Sequence, residues 1–142
     1  MEKQQESSHR DLIVYQKSTW LAREIFEMTN SFPREEIHSL TSQLRRSSRS
    51  IGAQIAEAWA KRGYEKYFTG RLTDADGEQH ETQHWIEIAE DCGYISHEKS
   101  QLLIEKCRDI GQLLTDMLDQ ASALAKPPAR PVSGSQAEYL IE

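Results

Sequence analysis

The sequence has little that is typical of a β-sheet protein, a membrane protein or a disulfide-stabilised protein. Its 142 residues include seven glycines, four prolines and few runs of β-branched residues. No apolar run approaches the roughly 18 residues that a transmembrane helix needs, and no signal-peptide pattern opens the chain. Cys92 and Cys107 are too few for a disulfide framework. We therefore expect one cytoplasmic, all-α domain that has no membrane contact and two reduced, mostly buried thiols.

The stretch from Pro33 to Gly63 has the clearest helical pattern in the chain. Pro33 suits the first turn of a helix, because its missing N–H would have no partner there, and Gly63 suits the end. The residues between them repeat in steps of three and four, the spacing of a helix that buries one face. The repeating positions are Ile37, Leu40, Leu44, Ser48, Ile51, Ile55 and Ala58. Gly52 interrupts this helix, and a closely approaching neighbour would explain it.

The same spacing predicts three more helices. The four predicted helices cover about 11–30, 33–62, 64–92 and 96–125, and the turns between them are short. Short turns favour antiparallel neighbours, so we predict an antiparallel up-down-up-down four-helix bundle over 11–125. The flanks, 1–10 and 126–142, are expected to be a flexible N-terminus and a disordered tail rich in Pro and Ser.

The buried faces of the first and third helices follow from the same pattern. For the first helix we predict Leu12, Tyr15, Thr19, Ala22, Phe26 and Thr29, with Leu21 and Ile25 beside them. For the third helix we predict Phe68, Leu72, Ala75, Gln79, Thr82, Ile86 and Ala89. Polar residues near such faces fix register or oligomeric state, and the candidates are Gln43, Gln54, Glu57, Gln79 and Thr82.

Charge is distributed unevenly along the chain. The net charge of −6 disfavours general nucleic-acid binding. Eight acidic residues and no basic residue lie from Leu72 to Glu98, whereas eight basic residues against four glutamates lie from Arg34 to Arg71. A subunit with one basic and one acidic flank can bind a copy of itself head to side and close a ring. Two alternatives remain open, namely ordinary solvated faces and pairing between the second and third helices of one chain.

Two groups of residues are candidates for binding. The basic group, for a protein partner or nucleic acid, is Arg45, Arg46, Arg49, Lys61 and Arg62. The group predicted at an oligomer interface is Trp59, Tyr67, Trp85, Asp74, Asp76 and Glu78. Aromatic residues beside the core positions need cover, which favours an interface.

One string matches a metal-site spacing, His80-Glu81-Thr82-Gln83-His84. Zinc proteases use this HExxH pattern, with a third ligand and an open coordination position. No third histidine follows at the usual spacing, and the predicted core face passes through Thr82, so His80 and His84 should point outward. We predict no resident metal and no cofactor, with adventitious metal binding at most. No serine has the context of a nucleophile and no Gly-rich phosphate loop is present, so we predict no enzymatic activity.

The motif FPREEIHSLTSQLRRSSRSIGAQIAEAWAKRG resembles the small four-helix-bundle proteins encoded by intervening sequences in large-subunit rRNA genes. The resemblance continues upstream in DLIVYQKSTWLAREIFEMT and downstream in EKYFTGRLTDADGEQHETQHWIEIAEDCGYI, and covers about Asp11 to Met117. The accessory variability proteins of diversity-generating retroelements are similar in fold. The resemblance implies a cytoplasmic all-α bundle, a homopentameric ring and no established enzymatic activity. For the accessory proteins it implies binding to nucleic acid and to a reverse transcriptase through basic surfaces.

Two functional hypotheses follow. The first is a non-enzymatic, self-assembling bundle that acts as an interaction scaffold. The second is an accessory protein that binds RNA or DNA phosphates with the basic residues of the second helix.

Overall fold

Four long helices run alternately up and down in the structure, a computed structural model that describes residues 8–125. They are α1 (Ile13–Thr29), α2 (Leu40–Ala60), α3 (Glu65–Asp91) and α4 (His97–Asp119). A one-turn helix, α5 (Ala121–Ala125), packs on α3, and 3-10 turns cover His9–Asp11 and Arg34–Glu36. The predicted all-α four-helix bundle is confirmed. The predicted disordered tail, and the predicted flexible N-terminus up to residue 7, lie outside the described residues.

The four helices form a square in cross-section. α1 contacts α2 and α4, and α3 contacts α2 and α4, whereas neither diagonal pair, α1 with α3 or α2 with α4, is in contact. The pair α1 and α2 therefore forms one side of the bundle, and α3 and α4 form the opposite side. None of the helices within residues 8–125 is both long and apolar enough to cross a bilayer.

The second helix begins later than its sequence predicts. Pro33 opens the 3-10 turn Arg34–Glu36, and the backbone then leaves the helical region at Ser39, where φ is −132° and ψ is −106°. The Glu36 carboxylate accepts a hydrogen bond from the Leu40 backbone N–H at 3.2 Å, and so satisfies one of the free donors at the start of α2. Pro33 and the glutamates after it, which favour the start of a helix, thus form a separate turn, and this turn caps α2.

The buried face of α1 differs from the predicted face by a shift of one residue along the sequence, which is a rotation about the helix axis. Val14, Ser18, Leu21, Ile25 and Thr29 are buried, whereas Phe26, which we predict to be buried, is 40% exposed. One residue corresponds to a rotation of about 100°. Two neighbouring apolar faces on α1 both satisfy the helical spacing, so α1 alone does not decide between them.

Gly52 of α2 explains the rotation of α1. A Cβ atom at Gly52 would lie 3.1 Å from the Ser18 Oγ and 3.5 Å from the Tyr15 ring. The two helices thus approach closely where two small residues meet, and this contact holds Ser18 inward. The close neighbour expected at Gly52 is confirmed.

The predicted buried face of α3 is confirmed at all seven positions. Its two polar members are hydrogen-bonded: the Thr82 hydroxyl lies 2.8 Å from Ser47 Oγ, and the Gln79 amide donates to Asp76 at 2.9 Å. These bonds satisfy groups that would be costly to bury alone. Of the other polar candidates, Gln43 and Gln54 are half-buried and Glu57 is exposed, so Glu57 is not a core residue.

The two thiols differ in exposure. Cys107 is buried in α4, and burial raises the pKa of its thiol to about 12. Cys92 is exposed at the C-terminal end of α3, which corrects the expectation that both are buried. Both cysteines are free.

Candidate interaction surfaces

The charges of the four helices separate onto opposite sides of the bundle. α2 carries three arginines and one glutamate, a net charge of +2, and α1 is neutral with two residues of each sign. α3 carries eight acidic and two basic residues, and α4 carries five acidic and three basic residues, net charges of −6 and −2. We call the α1 and α2 side the basic side and the α3 and α4 side the acidic side.

Arg46 is engaged with α3 of its own chain. Its guanidinium forms ion pairs with Glu78, at 3.4 Å, and with Glu81. The Trp85 indole N–H donates to the same Glu81 carboxylate at 3.0 Å, and this hydrogen bond, with Arg46, lowers the pKa of Glu81. The hydrogen bond to Glu81 also raises the pKa of Arg46. At this position, charges pair between α2 and α3 of one chain, which was one of the alternatives for the uneven charge.

Lys61 and Arg62 lie near aromatic rings at the C-terminal end of α2. The Arg62 guanidinium is 4.3 Å from the Trp59 ring and donates to the Trp59 carbonyl at 2.8 Å, and partial burial lowers its pKa. The Lys61 ammonium is 5.7 Å from the half-buried Tyr67 ring. Trp59 is only 6% exposed and belongs to the core, so its predicted place at an oligomer interface is wrong. Trp59 is buried because it lies on the inner face of α2, where its large ring packs on Phe68.

Arg45 and Arg49 flank Phe26 in the groove between α1 and α2. The Arg45 guanidinium donates to Thr29 Oγ1 at 2.8 Å and to Asn30 Oδ1 at 3.1 Å, and its carbon lies 4.5 Å from the Phe26 ring centre. The Arg49 guanidinium lies 5.5 Å from the same centre. Neither arginine takes part in the ion pairs formed among residues 8–125. We call Phe26, Arg45 and Arg49 the arginine ledge.

The five basic candidates therefore do not form one surface. Arg45 and Arg49 face α1, and Arg46 faces α3. Lys61 and Arg62 follow the last residue of α2, about 18–26 Å away along the helix axis at about 1.5 Å per residue. Among these candidates, only the arginine ledge combines an exposed aromatic ring with arginines that form no ion pair within residues 8–125.

The acidic candidates of α3 are also engaged within the chain. Asp74 lies 3.5 Å from the Arg71 guanidinium. Asp76 accepts the hydrogen bond from Gln79 and lies 3.7 Å from His80 Nε2. With Glu78 bound to Arg46, none of the three predicted interface carboxylates lacks a partner.

α4 carries a pair of carboxylates that the charge pattern of the sequence does not single out. Glu98 and Glu105 are exposed and take part in none of the ion pairs among residues 8–125. Leu102, which is 44% exposed, lies between them at helical spacing, four residues after one and three before the other. We call these three residues the acidic strip. The signal that could have found it is an apolar residue on the outer face of α4, outside the core spacing.

The two histidines of the HExxH string point outward, as their position opposite Thr82 predicts. His80 and His84 are exposed, and the Glu81 between them is held by Arg46 and Trp85. Within residues 8–125, no group of three or more His, Cys, Asp or Glu side chains is arranged to hold a metal ion.

A groove between α1 and α4 contains a small cavity that the sequence does not indicate. Its volume is about 240 Å³, and it is lined by Lys17, Trp20, Lys106 and Asp109. The Lys106 ammonium lies 5.6 Å from the Trp20 ring centre, so these two lining residues already form a cation–π contact with each other.

These features define an all-α bundle with two oppositely charged sides. The family model described as 23S rRNA-intervening sequence protein matches residues 10–116, and the chain belongs to this family. The resemblance noted in the sequence is thereby confirmed. A crystal structure of a protein with unknown function from the S23 ribosomal protein family of Bacteroides thetaiotaomicron is similar, with a TM-score of 0.69 and 28% identity. The match covers 75% of this chain and 96% of that chain. No curated protein matches the sequence.

Proposed function

We propose that this protein is a non-enzymatic, cytoplasmic scaffold that assembles with copies of itself into a homopentameric ring and presents its outer surfaces to a protein partner. The observation that supports this most is the separation of charge between the basic side and the acidic side. Opposite sides of one molecule that carry opposite charges favour contact between successive copies.

The placement of the charges favours a ring over a two-fold dimer. A two-fold contact uses the same patch on both copies, and the ledge and the strip lie on different sides of the bundle. A two-fold contact through the basic side would therefore place one basic side against another. A head-to-side contact instead joins unlike surfaces and leaves one of each free, so further copies add until the ring closes. The number five follows from the family resemblance, and the charge arrangement is compatible with any closed ring.

The mass of the particle in solution tests this proposal. We expect about five times the chain mass of 16.3 kDa by sedimentation or native mass spectrometry at micromolar concentration. The assembly should weaken as salt rises, because the screening length falls from about 10 Å at 0.1 M to about 3 Å at 1 M. A single particle of one chain mass at ordinary salt contradicts self-assembly, and a ring of another size contradicts only the number five.

The non-enzymatic part of the proposal has its own support and test. Glu81, which would be the general base of a zinc protease, is held by an ion pair and an indole hydrogen bond on the surface of α3. We expect metal analysis of protein purified without an affinity tag to find no stoichiometric zinc or iron. One metal ion per chain, lost in a His80→Ala variant, contradicts this part.

The arginine ledge supports a second candidate function, binding of nucleic acid as an accessory protein, with a reverse transcriptase as a further partner. Cations bind phosphates and an exposed aromatic ring stacks with a base, and the ledge has both. Fluorescence anisotropy with labelled RNA and single-stranded DNA tests it: binding should weaken steeply with salt and be lost in Arg45→Glu/Arg49→Glu. Absence of salt-dependent binding removes this candidate. The net charge of −6 makes it the weaker of the two.

A further inference from the structure

We propose that the arginine ledge of one copy binds the acidic strip of the next copy, so that Phe26 packs against Leu102 while Arg45 and Arg49 pair with Glu98 and Glu105. This inference rests on the proposed self-assembly and names the surfaces that carry it. The occupant of the ledge is thus a second copy of this chain.

The two surfaces complement one another in charge. The ledge holds two guanidinium groups that pair with no carboxylate among residues 8–125, and the strip holds two carboxylates that pair with no cation there. Of the other charged candidates, Arg46, Asp74 and Glu78 have ion-pair partners within the chain. Lys61 and Arg62 lie at the opposite end of α2, far from the ledge. Arginine and carboxylate groups form paired, directional hydrogen bonds, so two such pairs orient the contact as well as stabilise it.

The apolar centres match as well. Phe26 is 40% exposed and Leu102 is 44% exposed, two of the five large hydrophobic residues that are exposed within residues 8–125. Each lies between the charged groups of its own surface, so contact between the copies would bury an apolar centre within a charged rim. Interfaces between proteins commonly have this arrangement, because the apolar centre is removed from water while the rim stays hydrated.

The two surfaces also lie near the same end of the bundle. Lys99 of α4 forms an ion pair with Glu24 of α1, with Nζ and Oε1 3.4 Å apart, and this pair places the start of α4 level with the end of α1. Phe26 lies two residues beyond Glu24, and Leu102 lies three residues from Lys99 in the opposite direction. At about 1.5 Å per residue the offset along the bundle is about 8 Å, which long arginine and glutamate side chains can span. Copies related by rotation about an axis parallel to the bundle therefore bring ledge and strip together.

Charge reversal tests the contact directly. Two variants each reverse one surface: Arg45→Glu/Arg49→Glu and Glu98→Arg/Glu105→Arg. In each variant like charges meet, and we expect the dissociation constant for self-assembly to rise about tenfold or more. A third variant with all four substitutions restores opposite charges and should assemble again. The measurement is sedimentation velocity over a concentration series, with circular dichroism to confirm that each variant is folded.

A matched control separates local contact from net charge. Arg10→Glu/Lys66→Glu changes the charge by the same amount as the ledge variant, but both residues are exposed at the opposite end of the bundle. This control should assemble like the unmodified protein. Phe26→Ser tests the apolar centre without any change of charge and should also weaken assembly.

The outcomes separate the inference from the function on which it rests. Assembly of both double variants with unchanged affinity overturns the ledge–strip contact and leaves the scaffold intact. A monomeric unmodified protein overturns both. Failure of the fourfold variant to assemble, although it is folded, also overturns the contact. If the ledge variant loses RNA binding while it assembles normally, the ledge is a nucleic-acid surface and the inference is wrong.

Discussion

Gly111 on α4 offers a sharp test of the packing between α3 and α4. A Cβ atom at this position would lie 2.7 Å from Gln79 Nε2 and 3.3 Å from the Asp76 carboxylate. Gln79 is 2% exposed, and its amide donates to Asp76 at 2.9 Å while its carbonyl accepts from Gln83 at 2.8 Å. The Gly111→Ala substitution must therefore displace a buried side chain that two hydrogen bonds hold in place.

The expected cost follows from two opposing terms. Replacing a helical glycine with alanine stabilises a helix by about 1 kcal/mol. Breaking the hydrogen bonds of a buried amide costs about 1–3 kcal/mol for each group left without a partner. If both the N–H group and the carbonyl of the Gln79 amide lose their partners, the cost is about 2–6 kcal/mol. After the gain of about 1 kcal/mol is subtracted, we expect Gly111→Ala to lower the free energy of unfolding by about 1–5 kcal/mol.

Gly70 provides the matched control, because it is exposed within α3 and a Cβ atom there would have no neighbour within 4 Å. Gly70→Ala should raise the free energy of unfolding by about 1 kcal/mol. The assay is equilibrium unfolding in urea, followed by circular dichroism at one protein concentration. If Gly111→Ala stabilises the protein as much as Gly70→Ala, the reasoning is refuted. In a Gln79→Ala background the penalty of Gly111→Ala should disappear, since the obstructing amide is gone.

Two further predictions concern titratable groups. Cys92 is exposed, whereas Cys107 is buried and its thiol has a raised pKa of about 12. A thiol reagent at pH 8 should therefore modify Cys92 quickly and Cys107 only on unfolding. Cys92→Ser should remove the fast phase, and rapid reaction of both thiols contradicts the burial of Cys107. The Tyr94 hydroxyl donates to the Glu36 carboxylate at 2.8 Å, which raises the pKa of Tyr94 to about 12. This raised pKa stabilises the neutral phenol, so its contribution to stability is complete below about pH 10 and is lost as pH rises through about 12. In a titration followed by tyrosinate absorbance, the last step should occur near pH 12. Tyr94→Phe should remove this step, and Glu36→Gln should move it to lower pH. Titration of all tyrosines near pH 10 contradicts the hydrogen bond between Tyr94 and Glu36.

The comparison of α1 and α3 shows what limits prediction of a buried face from sequence. On α3 only one face repeats at the helical spacing, and the structure buries that face from Phe68 to Ala89. On α1 two neighbouring faces are both apolar, and the contact between Ser18 and Gly52 of α2 selects one of them. Because that contact joins residues far apart in the chain, no pattern within α1 could show it.

The candidate surfaces were harder to predict than the core. The unequal charge of the α2 and α3 segments was visible in the sequence, and so was the outward direction of His80 and His84. The sequence did not show that Arg46 pairs with Glu78 while Arg45 and Arg49 face Phe26. Neighbours on one helix differ by about 100° in direction, so adjacent arginines reach different partners once the helices are packed.

Helical spacing and short turns are local properties of the chain, and they suffice to predict the number of long helices, their order and their antiparallel packing. Packing between helices was needed to show which face of α1 is buried, that Trp59 belongs to the core, and which charged residues lack a partner on the described surface. Those features depend on the relative rotation and height of two helices. Both quantities are set by contacts between distant residues, and these contacts form only when the bundle assembles.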